Sequence, residues 1–210
     1  MQTYFQNNNS DELIVILNGW GMDEKPFNLL KCDCYILFLS NYTNLDFSFD
    51  FSSYKKKILI AFSAGVLMST NLKETFNEFD LKIAVNGTLC PFDTKHGTPE
   101  NILLEMENIT QETALEFRKK LINDINHLEL FNKNQPNRDL QSSLYELSAL
   151  KKYAAKSDFV FDKVIIGQDD EIIPFKNQKN AWKNHKNTRI IKGGHFLFYK
   201  FANFIEIIEL

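Results

Sequence analysis

The amino-acid sequence predicts an α/β protein built on a mostly parallel β-sheet, and two observations support this. Short, nearly continuous apolar runs rich in β-branched residues recur along the chain, as in strands buried on both faces of a parallel sheet. Glycine or asparagine follows most of these runs and marks a turn at the carboxyl end of the strand. The runs lie at residues 13–17, 34–39, 57–61, 81–85, 163–166 and 189–192.

One more strand fits ahead of the first run, near residues 3–6, so we expect a sheet of six or seven strands in a single domain over residues 1–210. Between residues 98 and 157 no strand run appears, and apolar residues recur at helical spacing instead. This block is predicted to be a helical cap inserted into the domain. Its two apolar stripes are Ala114, Phe117, Leu121, Ile125 and Leu128, and Leu140, Leu144, Leu147, Leu150 and Ala154.

The composition is that of an ordinary globular protein. Hydrophobic residues make up 44% of the 210 residues, and the net charge of −3 gives no overall signal for nucleic acid or an anionic membrane as partner. The first residues lack a signal-peptide pattern, and no stretch is long and apolar enough for a membrane span. We therefore expect a cytoplasmic monomer that binds neither nucleic acid nor membrane.

The cysteine count is odd and low, with Cys32, Cys34 and Cys90 the three in the chain. Such a count argues against a disulfide framework. No second pair supports a zinc site at Cys32 and Cys34. We expect all three to be buried or half-buried thiols.

A serine stands at the turn between a predicted strand and a predicted helix. Residues 61–65 read AFSAG, after the 57–61 run and before a helix predicted at residues 66–76. A strand, a sharp turn with small flanking residues and a helix form the nucleophile elbow, which holds a serine hydroxyl above the sheet. Ser63 is therefore the candidate nucleophile, and a helix N-cap is its structural alternative.

An acid and a histidine follow later strands. The loop GQDDEIIP comes after the fifth run, and its pattern favours Asp170 over the adjacent Asp169 and Glu171 as the acid that orients a histidine. His195 follows the last run after two glycines, whereas the other three histidines lie in polar or helical surroundings. The chain order Ser63, Asp170, His195 is typical of α/β hydrolases, so the predicted fold is an α/β-hydrolase fold with a trimmed N-terminal sheet.

The loop NGWG at residues 18–21 follows the first strong strand. In this fold, one oxyanion-hole N–H comes from that loop and the other from the residue after the nucleophile. We expect the backbone amides of Trp20 and Ala64 to provide these donors. The Trp20 side chain is either a wall of the acyl pocket or a core or lid aromatic residue, and the two roles are compatible.

The chain resembles the short pimeloyl-acyl carrier protein methyl ester esterases of biotin synthesis, the BioG type. The resemblance spans nearly the whole chain, although the helical insertion contributes no matching motif. The segments that carry it are LNGWG at 17–21, NLDFSFD at 44–50, AFSAGV at 61–66, AVNGT at 84–88, GTP at 97–99 and GH at 194–195.

The resemblance implies hydrolysis of the methyl ester of pimeloyl-acyl carrier protein to pimeloyl-acyl carrier protein and methanol. It implies Ser63 as nucleophile, His195 as general base and acid, and Asp170 as the residue that orients His195, with no cofactor or metal. The sequence leaves two alternatives open: a general short-chain carboxylesterase or thioesterase, and a non-catalytic binding protein on the same fold.

The acyl carrier protein partner that the resemblance implies is strongly acidic, so basic residues of the insertion form a candidate docking surface. The predicted carrier contacts are Arg118, Lys119, Lys120 and Arg138, extended by Lys151 and Lys152. The alternative for these residues is an ordinary solvated helix face.

Overall fold

In the computed structural model, which describes residues 1–8, 10–153 and 159–210, seven strands form one sheet in the order β1-β3-β2-β4-β5-β6-β7. All neighbouring strands are parallel except β1, which pairs antiparallel with β3 at the sheet edge. The prediction of a mostly parallel sheet with six or seven strands is confirmed, and the number of strands is seven. The strands are β1 (Gln2–Gln6), β2 (Glu12–Leu17), β3 (Tyr35–Ser40), β4 (Lys56–Phe62), β5 (Leu81–Val85), β6 (Lys163–Gly167) and β7 (Thr188–Ile191).

Helices connect the parallel strands, and several of them follow β5, where the sequence predicted an insertion. They are α1 (Ala64–Asn71), α2 (Lys73–Phe76), α3 (Glu100–Glu107), α4 (Gln111–Ile122), α5 (Ile125–Lys133), α6 (Leu140–Leu150), α7 (Phe175–Ala181) and α8 (Phe204–Glu209). Within the described residues, no helix is long and apolar enough to cross a bilayer.

The first apolar stripe of the insertion forms two helices rather than one. Asn123 takes the left-handed conformation with φ 49° and ends α4, and the Asp124 side chain then accepts the N–H groups of Asn126 and His127 to begin α5. Asparagine tolerates this conformation and aspartate is a strong N-cap, so the residues between the two halves of the stripe favour a break. The second stripe is confirmed as α6 up to Leu150, and Ala154 lies outside the described residues.

The core lies on both faces of the sheet, because alternate residues of each central strand point to opposite sides. In β2, Ile14 and Ile16 belong to one apolar cluster, and Leu13, Val15 and Leu17 belong to the other. Helix α1 covers the second face with Val66 and Met68, among other residues. Strands buried on both faces are the physical reason for the continuous apolar runs in the sequence.

The parallel arrangement brings the carboxyl ends of β2, β4, β5, β6 and β7 to one edge of the sheet. In open α/β sheets, ligands bind at this edge. The loops that follow these strands carry the residues singled out from the sequence.

Candidate active site

Ser63 lies at the sharp turn between β4 and α1. Its backbone has φ 52° and ψ −115°, an uncommon conformation for a residue with a side chain. Its N–H donates to the carbonyl of Val85 on the neighbouring strand at 3.0 Å, which anchors the turn to the sheet. The Ser63 hydroxyl makes no capping hydrogen bond to α1, so the N-cap alternative is not observed. Instead, its Oγ lies 2.8 Å from His195 Nε2.

His195 lies in the loop that follows β7 and is only 2% exposed. The N–H of the next residue, Phe196, donates to the carbonyl of Leu121 at the end of α4 at 2.9 Å, which holds this loop in place. His195 Nδ1 lies 2.7 Å from Asp170 Oδ2. A neutral His195 with its proton on Nδ1 would donate to the Asp170 carboxylate and accept from Ser63 at Nε2.

The Asp170 carboxylate is buried and both of its oxygens accept hydrogen bonds. Its Oδ1 accepts the backbone N–H groups of Ile172 at 2.8 Å and Ile173 at 2.9 Å. Its Oδ2 accepts Gln178 Nε2 at 2.8 Å as well as His195 Nδ1. These donors hold the carboxylate in one orientation and stabilise its charge within the protein.

The structure distinguishes Asp170 from the two acids beside it. Glu171 is exposed, and Asp169 is half-buried with its backbone bonded to Gly193 and Asn123. Only the Asp170 carboxylate, among these three adjacent acids, meets the imidazole of His195. The structure thus brings Asp170, the acid that the sequence pattern favours, to His195.

Two buried amide side chains support this arrangement, and sequence reasoning assigned a role to neither. Gln178 on α7 donates to Asp170 Oδ2 and to the carbonyl of Ile173, both at 2.8 Å. A single glutamine on a helix carries no signal for such a contact, which only the packing of α7 against the loop creates.

Asn86 follows β5 and has the left-handed conformation, with φ 43°. Its Oδ1 accepts the N–H of Gly167 at the end of β6 at 2.6 Å. Its Nδ2 donates to the carbonyls of Gly194 at 3.0 Å and His195 at 2.6 Å. Asn86 therefore connects the strand end before Asp170 to the loop that carries His195. The sequence signal that could have identified Asn86 was an asparagine directly after a buried strand, within the AVNGT segment.

The loop after β2 lies against the serine turn. A Cβ added to Gly19 would meet the Phe62 ring at 2.9 Å and Ser63 Cβ at 3.2 Å, so a glycine is required for this close approach. The next residue is Trp20, and Ala64 is the first residue of α1, where backbone N–H groups have no partner within the helix. Trp20 thus follows a residue that packs against the serine turn, and Ala64 follows Ser63 directly. The Trp20 indole donates to the carbonyl of Ser143 on α6 at 2.6 Å.

A cavity of about 500 Å³ opens onto Ser63 and His195. The insertion contributes much of its wall through apolar side chains, and Trp20 lines it with its ring edge-on to that of Phe117 at 5.8 Å. Trp20 is therefore a wall of this cavity. The apolar residues from the insertion that line it include Met106, Phe117, Leu121, Phe131 and Leu140.

The structure places the predicted basic residues in three different settings. Lys119 and Lys120 are paired with acids, Lys119 with Glu116 at 2.6 Å and Lys120 with Glu105 at 2.6 Å. Arg118 lines the cavity and donates to Gln135.

The sequence predicted that Arg138 is a surface contact for the carrier protein, and the structure shows it buried. Its side chain is 5% exposed and lies 3.2 Å from the Glu146 carboxylate, which is fully buried. The reason is the position of Glu146, whose buried charge requires a cationic partner. Arg138 is therefore an internal residue rather than a surface cation.

The expectation of three thiols is also corrected. Cys32 and Cys34 form a disulfide, with Cα atoms 5.3 Å apart, and Cys90 is free and half-buried. Across the described ranges of the chain, no three His, Cys, Asp or Glu side chains are grouped so that they could hold a metal ion.

The sheet and the loops at its carboxyl edge define a protein of the α/β-hydrolase class. An esterase from Exiguobacterium antarcticum has the same fold, with a TM-score of 0.68 and 14% identity, covering 99% of this chain and 96% of that chain. A model of the family described as "Pimeloyl-ACP methyl esterase BioG" matches residues 1–207. The chain therefore belongs to the BioG family, and the resemblance seen in its sequence is confirmed.

Two further proteins are similar to this chain. The crystal structure of BioG from Haemophilus influenzae has a TM-score of 0.89 and 27% identity, covering 98% of this chain and 99% of that chain. A protein of Bacteroides fragilis named "Malonyl-[acyl-carrier protein] O-methyltransferase" is 32% identical over 193 residues. That match covers 88% of this chain but only 39% of the length of the relative.

Proposed function

We propose that this protein is a serine esterase that hydrolyses the methyl ester of pimeloyl-acyl carrier protein, in biotin synthesis. The observation that carries the proposal is the continuous hydrogen-bonded path from Ser63 through His195 to Asp170, which faces the cavity in a chain of the BioG family. A serine hydroxyl becomes an effective nucleophile when an adjacent base removes its proton and a third group orients that base.

In the proposed first half-reaction, Ser63 Oγ attacks the carbonyl carbon of the methyl ester while His195 Nε2 takes the hydroxyl proton. The oxyanion that forms is held by the backbone N–H groups of Trp20 and Ala64. Each such donor contributes roughly 10²–10³-fold to the rate in comparable enzymes. The tetrahedral intermediate then collapses, and methanol leaves with the proton that His195 returns.

In the second half-reaction, water attacks the carbonyl carbon of the Ser63 ester as His195 removes one of its protons. Collapse of this intermediate returns that proton to Ser63 Oγ and releases the pimeloyl carboxyl group. Asp170 keeps the His195 proton on Nδ1 and stabilises the imidazolium that forms in each half-reaction. The residues of this chain account for every proton transfer.

We propose that residues 98–157 act as a cap that binds the acyl chain. Apolar side chains between Met106 and Leu140 line the cavity beside Ser63, which suits a hydrocarbon chain. The carrier protein would dock near the outer face of α4, where Lys119 and Lys120 are at least partly exposed and Arg118 lies at the cavity. We place the reaction in the cytoplasm and the enzyme in the monomeric state.

The proposal is tested by incubating methyl-pimeloyl-acyl carrier protein with the enzyme and measuring the mass of the intact carrier. Hydrolysis lowers this mass by that of one CH₂ group. We expect complete conversion with the wild-type protein and a turnover rate on the order of 10⁶-fold lower with Ser63→Ala, the loss known for removal of such a nucleophile.

Other outcomes would identify the alternatives. Cleavage of p-nitrophenyl esters without cleavage of the carrier-linked methyl ester would replace the proposal with a general esterase. A wild-type protein that cleaves neither substrate and is not labelled by a fluorophosphonate would favour a binding protein.

A further inference from the structure

Helix α6 and the turn before it are joined to the loop after β2 by several hydrogen bonds. The Trp20 indole donates to the carbonyl of Ser143, and Asp23 Oδ2 accepts the N–H of Asn137 at 2.6 Å. Within the loop itself, the N–H of Met22 donates to the carbonyl of Gly19 at a longer distance of 3.3 Å. The position of this loop therefore depends on contacts with a distant part of the chain.

Glu146 on α6 makes further contacts with this loop, and its side chain is fully buried. Its Oε2 accepts the N–H of Gly21 at 3.0 Å, and its Oε1 accepts the N–H of Tyr42, just beyond β3, at 3.0 Å. Tyr42 in turn donates its hydroxyl hydrogen to the carbonyl of Asn18 at 2.9 Å. One carboxylate thus connects α6 to the loop after β2 and to the segment that follows β3.

Arg138, just before α6, pairs with the Glu146 carboxylate. Its guanidinium donates to Glu146 Oε2 at 3.2 Å, to Ser142 Oγ at 2.9 Å and to the carbonyl of Met22 at 3.4 Å. Burial raises the pKa of Glu146, and the Arg138 guanidinium and the two backbone N–H donors oppose that shift. In the described part of the chain, the Glu146 carboxylate accepts hydrogen bonds from Gly21 N–H, Tyr42 N–H and Arg138, which is the environment of a charged acceptor.

We infer that Glu146 is a positioning residue for the oxyanion hole, holding the loop that contains Trp20 at the correct distance from Ser63, with Arg138 as its counterion. This inference rests on the proposed serine-esterase function. The loop residue Gly21 has φ 67°, so its N–H is turned away from the regular strand direction towards the carboxylate. By binding this N–H, the Glu146 carboxylate fixes Gly21, the residue directly after Trp20. The hydrogen bond from the indole to Ser143 fixes the Trp20 side chain.

The first test is Glu146→Gln, assayed on a short p-nitrophenyl ester. The side-chain amide has one oxygen, so one of the two backbone N–H donors must face an NH₂ group. The loop then shifts, and misplacement by about 1 Å costs on the order of 10²-fold in rate. We expect kcat to fall by about ten- to a hundredfold with KM nearly unchanged, because the oxyanion forms only in the transition state.

The inhibition constant of a trifluoromethyl ketone reports on oxyanion binding directly, so a residue that only stabilised the fold would not change it. The ketone adds to the serine and forms a tetrahedral oxyanion, so its inhibition constant should rise by the same factor by which kcat falls. KM for the ester is the matched ground-state measurement. Glu129→Gln, on the exposed surface of α5, is the control and should leave both constants as in the wild-type protein.

The double variant Glu146→Leu/Arg138→Met separates positioning from stability. Replacing a buried ion pair with apolar residues of similar size often preserves stability, but it removes the hydrogen bonds to Gly21 and Tyr42. We expect a folded protein whose melting temperature falls by several degrees, because the N–H groups of Gly21 and Tyr42 lose their acceptor, and a kcat reduced by about a hundredfold. A double variant with wild-type kcat would overturn the inference, as would a Glu146→Gln variant whose inhibition constant is unchanged. A wild-type protein without esterase activity would instead reject the proposed function.

Discussion

At the scale of single residues, the site depends on buried amides as much as on the residues that face the substrate. Asn86 holds the strand end before Asp170 with its oxygen and the His195 loop with its nitrogen. Gln178 holds the Asp170 carboxylate itself. The Asn86 amide both donates and accepts, and the Gln178 amide donates twice through its nitrogen, and neither introduces a charge into the core.

Asn86→Asp tests the contribution of the Asn86 amide. Aspartate tolerates the left-handed backbone conformation and keeps an acceptor for Gly167, but it has no donor for the carbonyls of Gly194 and His195. The His195 loop should move, and we expect kcat for a p-nitrophenyl ester to fall by about 10²-fold. The control is Asn126→Asp at an exposed position of α5. Equal kcat values for the two variants would contradict this role.

At the scale of elements, the serine turn requires α1 to lie very close to β2. A Cβ on Gly65 would stand 2.1 Å from the carbonyl oxygen of Leu17, at the end of β2. The contact is with backbone that is part of the central sheet, so no side chain can rotate away to relieve it. Position 65 therefore requires glycine, because α1 packs so closely against β2.

Gly65→Ala should destabilise the protein, because α1 must move away from the sheet. Overpacking of this kind costs about 1–3 kcal/mol, and each kcal/mol lowers the melting temperature of a chain of this size by about 2–4 °C. Gly21→Ala is the comparison: its added Cβ would come no closer than 3.5 Å to other atoms, although its φ of 67° causes some strain. Calorimetry should give the lower melting temperature for Gly65→Ala. The reverse order would show that backbone strain, not overlap, dominates.

At the scale of the whole molecule, the charge distribution limits how an acidic carrier protein can bind. The net charge is −3, so the protein as a whole does not attract an acidic partner. On α4, Lys119 and Lys120 are each paired with a glutamate, which reduces the local positive charge. A carrier protein that docks there must compete with these glutamates, so its binding should be weak and sensitive to salt.

The double variant Lys119→Glu/Lys120→Glu should raise KM for the carrier-linked methyl ester and leave the kinetics of a p-nitrophenyl ester unchanged. In the wild-type protein, the same KM should rise between low salt and 0.5 M NaCl, because ions screen the contacts over about 10 Å or less. Lys176→Glu, at an exposed position of α7, is the control for added negative charge. A KM that responds equally to both sets of substitutions would place the docking surface elsewhere.

Much of the fold could be predicted because its signals are local. Strands buried on both faces require apolar runs, and all six strong runs, together with the weaker first one, correspond to strands of the sheet. The serine turn was visible because its small residues and flanking elements are adjacent in the chain. The break after Ile122 could have been predicted from Asn123 and Asp124, but the apolar stripe that runs across it obscured the boundary.

The sequence by itself determined the sheet, the family and the chain order of Ser63, Asp170 and His195, since each of these is read from short local segments without knowing which residues meet in space. Only the tertiary structure decided which of three adjacent acids meets His195, that Asn86 and Gln178 support the site, and that Arg138 lies inside against Glu146. Some of these contacts join residues far apart in the sequence, such as Asn86 and Gly194, and others join residues only eight positions apart whose sequence carries no pairing signal. A buried charge or amide finds its partner only when separate elements pack together, because burial is what makes an unpaired polar group costly.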